Sequence, residues 1–135
     1  MPDDTIKTRI EGIRTVRGDS EEELKQAVPI YAEQVRQMEF LYGEHQGNRE
    51  LKQQERLLIA LGMALISGSP SAVEWTTTRC KNHGVRQGQI NEVIELALLN
   101  GGTFVVANAR FAHQVSKTWN VAARSKVRVA ASVST

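Results

Sequence analysis

LKQQERLLIALGMALISGSPSAVEWTTTRCKNHGVRQGQINEVIELALLNGGTFVVANA, residues 51–109, decides the fold. From Leu51 the pattern is helical, and from Leu57 to Ile66 every position except Gly62 is apolar. A helix apolar on all faces needs cover on all sides, which in so small a chain points to another subunit. Ser67–Pro70 breaks the run, with Ser69 a good N-cap and Pro70 at the first helical position; Ser71 with Glu74 offers an alternative capping box. Gly84 closes this second helix, and His83 stands where an imidazole can meet free carbonyls and the negative helix end. Gln87–Leu99 carries Ile90, Val93, Ile94, Ala97 and Leu98 on one face and stops at Asn100-Gly101-Gly102. From about Thr103 to Thr118, Phe104, Ala107, Phe111 and Val115 make one stripe. Val105, Ala109 and Ala112 make a second, small enough for close helix approach.

Working outward, Ser20 and Glu23 have the spacing of a capping box, so a helix is expected to start there. Residues 1–18 mix charges with isolated Ile and Val and read as an N-terminal arm. Pro29 breaks the helix, and a second runs to Tyr42 on the spacing of Ile30, Tyr31, Val35, Met38 and Leu41. Gly43–Arg49 is a polar loop. Beyond Trp119, Val127, Val129, Ala131 and Val133 alternate with strand period, but one short strand without a partner is not stable. No acidic residue follows Glu95, whereas Arg110, Lys117, Arg124, Lys126 and Arg128 do, which makes residues 119–135 a basic tail. The expectation is an all-α domain of five to six helices over residues 19–118, between arm and tail.

A chain of 135 residues with 41% hydrophobic and 24% charged residues is the size and composition of one globular domain. A net charge of +2 does not predict a nucleic-acid partner, and the basic tail lacks interleaved aromatics. The stretch Leu57–Ile66 is half of what a bilayer crossing needs and no signal pattern opens the chain, so no membrane partner and a cytoplasmic location are expected. Cys80 is the single cysteine and excludes an intrachain disulfide. Cys80 and His83 lie on one helix stripe, but with His45 and His113 unplaced they fall short of the three or four ligands that zinc requires. No metal or cofactor is expected. No phosphate loop, paired-carboxylate motif or nucleophile–base pair appears elsewhere.

The segment from residue 51 to about 115 resembles the carboxymuconolactone decarboxylase and alkyl hydroperoxidase D family. The resemblance rests on the order of Leu51-x4-Arg56-x-Leu58-Ile59-Ala60-Leu61, the Gly68 turn, Val73-Glu74-Trp75, the Gly84 stop, Asn91-Glu92-Val93-Ile94 and the Gly101-Gly102 break. It implies a small all-helical domain of the alkyl hydroperoxidase D-like type, assembled as a trimer or hexamer with sites near subunit contacts. Peroxide-reducing members share a Cys-x-x-Cys-x-x-x-His run and a Glu on the preceding helix. A helix N-terminus stabilises the thiolate there, and Glu and His move protons. Laid on this chain without gaps, those four positions are Ser69, Ala72, Thr76 and Leu57. Dithiol peroxidase activity is therefore not expected. Decarboxylases of the family use neither dithiol nor cofactor, although they share the His that is Thr76 here.

Glu55 lies about 200° around the helix from Leu57 and is no simple replacement, and an amide at Gln53 or Gln54 cannot exchange protons near neutral pH. If a small-molecule pocket exists, it is expected at the N-terminal end of the Ser69–His83 helix. Free N–H groups there favour an anion, and Ser69, Ser71 and Thr76 can donate hydrogen bonds. Leu57 would be an apolar wall and Trp75 a further lining residue. Glu74 is the expected general acid or base, with His83 second; against this stand helix-start electrostatics for Glu74 and helix capping for His83. Two functions follow: a cofactor-free lyase or isomerase acting on a small organic acid, or a non-catalytic oligomeric binding or scaffold protein.

Overall fold

The computed structural model describes residues 2–44 and 49–118. The helices are α1 (Pro2–Ala27), α2 (Pro29–Leu41), α3 (Gln53–Ser67), α4 (Pro70–Asn82) and α5 (Gln87–Gly101). A 3-10 turn (Gly102–Val105) then leads into α6 (residues 106–118). The chain is thus all-α, and no strand occurs among the described residues. The polar-loop residues 45–48, with His45, and the basic tail lie outside the described residues.

The expected arm is the first half of α1, a correction to the reading of residues 1–18. Ile6, Ile10 and Ile13 recur at helical spacing across this segment, and Ile10 is buried against the core while Ile6 and Ile13 pack beside it. Because the chain is already helical at Ser20, the capping-box spacing with Glu23 falls inside α1 and starts nothing. Pro29 does end the helix, since α1 stops at Ala27 and Pro29 opens α2.

Leu57, Leu61 and Leu65 of α3 are fully buried at the centre, against Val73 and Cys80 of α4, Ile90 and Ala97 of α5, and Phe111, Ala112 and Val115 of α6. Each such leucine contributes about 1.5–3 kcal/mol by leaving water. The ends of α3 are tied by amides. Gln54 Nε2 donates to the His83 carbonyl at 2.8 Å, and Asn108 Nδ2 donates to the carbonyls of Leu65 and Gly68 at 3.1 and 3.0 Å, which satisfies groups that a helix end leaves free.

Of the two stripes expected near the C-terminus, Val105, Ala109 and Ala112 are buried, but Phe104 is 95% exposed because the 3-10 turn rotates it out of the helix register. Gly102 makes that turn possible with φ +70°. The helical run Gln87–Thr118 is, by length and composition alone, long and apolar enough to cross a membrane. Polar residues interrupt it throughout, so it contains no continuous apolar stretch of that length. The 3-10 turn divides the run, and Ile90, Ala97, Val105 and Val115 on it belong to the core.

Candidate functional site

Four helices surround a cavity of about 450 Å³. From α4 it takes Ser69 at the cap, then Ser71, Trp75 and Arg79 at four-residue steps and, beside them on the same face, Ala72 and Thr76. From α3 it takes Met63 and the two alanines Ala60 and Ala64, which are small enough to leave space. Tyr31, Gln34, Val35, Met38 and Glu39 of α2, with Tyr42 just after it, form the opposite wall, and Arg17 and Glu21 of α1 complete the rim. The volume lies in the range of small-molecule sites.

The start of α4 is built as its sequence suggests: Ser69 Oγ accepts the backbone N–H of Ala72 at 3.3 Å, with Pro70 at the first position. Ser71 Oγ accepts from Arg17 Nε at 3.1 Å. Thr76 Oγ1 donates to the carbonyl of Ala72 at 2.8 Å, so its proton is spent on its own helix. These three residues and Trp75 line the cavity.

Leu57, Glu74 and His83 do not. Leu57 is fully buried in the core and does not line the cavity, which α3 reaches through Ala60, Met63 and Ala64. Glu74 is 1% exposed and fully engaged: Oε1 accepts from Arg14 Nε and from Thr78 Oγ1, and Oε2 accepts from Arg17 Nη2. Three of its four acceptor sites are taken by groups of α1 and α4, and the carboxylate does not line the cavity. His83 is the C-cap residue of α4, before Gly84 at φ +83°, and its Nδ1 lies 3.5 Å from Glu44 Oε1 rather than on a helix carbonyl. Glu55 accepts the N–H of Lys52 at 2.9 Å and is exposed, a helix-start role.

Cys80 is a core residue. Its Sγ lies 3.5 Å from the carbonyl of Leu57, and burial pushes the thiol up to about 12. A group so protonated has almost no thiolate at neutral pH. Cys80 and His83 share a stripe, as their spacing requires, but the buried thiol and the cap imidazole form no hydrogen bond with each other.

Sequence reasoning missed Arg79. Its guanidinium sits 4.5 Å from the centroid of Trp75, whose ring meets Tyr42 edge to face at 5.9 Å. Burial holds Arg79 below the ordinary arginine range, against the opposing pull of Glu39. Its Nε is buried and has no hydrogen-bond partner among the described residues. A signal was present: Ser71, Trp75 and Arg79 are spaced by four, one face of one helix. The contribution of α1 and α2 had no local signal.

The fold is that of an all-α domain, and no cysteine lines its cavity. The carboxymuconolactone decarboxylase family model matches residues 32–114, more than half of the chain, and the protein belongs to that family. The match leaves α1 outside. No curated protein matches. Among solved structures, the fold is similar to the apo crystal structure of a carboxymuconolactone decarboxylase family protein from Legionella pneumophila. The TM-score is 0.71 at 13% identity, over 81% of this chain and 95% of that one. At that identity the likeness shows the fold.

Proposed function

We propose that the cavity binds a small organic acid and that the protein acts on it as a cofactor-free lyase or isomerase, without thiol chemistry. The observation that carries this reading is Arg79, a cation lining the cavity with a buried Nε donor that no described group accepts. A buried donor left unmatched costs about 1–3 kcal/mol, and a carboxylate would satisfy it with a charge-assisted bond. Glu39, Tyr31 and Tyr42, which line the cavity, are the groups available to move a proton; Glu74 is not, since its oxygens are committed. Thermal-shift screening with small carboxylates should raise the melting temperature, and Arg79→Gln should abolish the shift. If no acid stabilises the protein, the reading fails. The engagement of Glu74 and His83 away from the cavity favours a second reading, an organic-acid binding protein without turnover. Incubation of a stabilising acid with the protein, followed by NMR, separates the two.

The same reading includes a homo-oligomer, a trimer or hexamer. Ile59, Met63 and Ile66 of α3 are each about half exposed, and Leu96 and Leu99 of α5 are 59% and 78% exposed. All but Leu99 line a groove between α3 and α5. Apolar surface of this kind is covered in stable proteins by a partner, and further copies of the chain arranged about a threefold axis would supply that cover. Light scattering coupled to size exclusion should give a mass of three or six chains at micromolar concentration, and a monomer would remove the proposal. The cytoplasmic location belongs to this reading and is checked by cell fractionation.

A further inference from the structure

The chain has two Trp, two Tyr and three Phe, and their distribution is uneven. Among the described residues the buried core holds a single aromatic side chain, Phe111. Both tyrosines and Trp75 converge instead on the cavity. Tyr42 also packs beside the aliphatic core, but Tyr31 and Trp75 do not belong to it, and one end of this aromatic lining carries Arg79 over the Trp75 ring.

We infer that the ligand of this cavity is a planar aromatic carboxylate, its ring held against Trp75, Tyr31 and Tyr42 and its carboxylate on Arg79. This rests on the organic-acid reading above and narrows it. Aromatic rings gain from offset or edge contacts beyond the area they bury, whereas a saturated ring of the same size gains only burial. A guanidinium stacked on an indole keeps its in-plane N–H donors free for a carboxylate, so Arg79 can serve the ring and the anion together. Apolar Met38, Met63 and Val35 fill out the walls without supplying further charge.

Benzoate and cyclohexanecarboxylate share size and charge and differ in planarity and π character, so their comparison isolates the inference. Binding is read by Trp75 fluorescence in a Trp119→Phe background and, independently, by calorimetry on the unaltered chain. Benzoate should bind about fivefold more tightly than cyclohexanecarboxylate. Trp75→Leu should bring the two within about twofold of each other, and Arg79→Gln should weaken both about tenfold or more. Circular dichroism melts of each variant confirm folding, and the calorimetric comparison on the unaltered chain decides the inference should a variant fail to fold. Equal affinity for the two acids overturns the aromatic inference and leaves the organic-acid reading standing. Binding of neither acid overturns both.

Discussion

Replacement of Glu74 by alanine is expected to lower the unfolding free energy by about 3–5 kcal/mol, a drop in melting temperature on the order of 10 °C. The carboxylate is buried and, among the described residues, is the acidic group ion-paired with both Arg14 and Arg17, whose side chains are 18% and 24% exposed. Its removal leaves two like charges facing each other at the seam between α1 and α4, and deprives Thr78 of its acceptor. The loss should show in chemical denaturation as a lower midpoint at an unchanged slope. Replacing all three residues together, with Arg14→Met, Arg17→Met and Glu74→Met, should recover most of it, because an apolar set has no charge to strand. A cost below about 1 kcal/mol for Glu74→Ala would mean that the ion pairs are not what holds α1, and would return Glu74 to consideration as a proton-transfer group.

The second large effect is expected at Leu57, where an ungapped reading of the family pattern puts a proton-transferring glutamate. Leu57→Glu should abolish cooperative folding. Loss of a buried leucine costs about 2–5 kcal/mol, and an unpaired carboxylate in the core adds several more. The two together rival the whole stability of an ordinary domain, about 5–15 kcal/mol. Leu57→Met, which conserves volume, should cost less than about 1.5 kcal/mol and serves as the control. Met38→Glu should be far better tolerated, because Met38 lines the cavity and is 38% exposed. Differential scanning calorimetry of the three variants decides the matter. A folded Leu57→Glu protein with a near-native transition would show that Leu57 can turn to the cavity after all.

These two residues mark where local sequence stops being informative. Glu74 occupies a helix-start position, and its neighbours in the chain suggest either a cap or a catalytic carboxylate. Arg14 and Arg17, which settle its role, lie 60 and 57 residues earlier, in a segment whose helical stripe of three isoleucines is diluted by charges and glycines. For Leu57 the family pattern names the helix correctly but cannot give its rotation about its axis. Whether position 57 or position 60 faces the cavity depends on which side α2 covers, and α2 is placed by the break at Pro29 and by packing, not by any residue near Leu57.

By itself, the sequence determined the all-α class, the family, and the ends of α2 to α5. Proline, glycine and serine at helix ends and a period of 3.6 act within a few residues, so they can be read without knowing the fold. It also determined that a dithiol is absent, since a single cysteine cannot supply one. The tertiary structure alone decided that Glu74 is a clasp between α1 and α4, that Cys80 belongs to the core, and that Arg79, Tyr31 and Tyr42 share a cavity. Such matters depend on which groups meet across helices, and a side chain's charge, protonation and reach are set by those partners rather than by its neighbours along the chain.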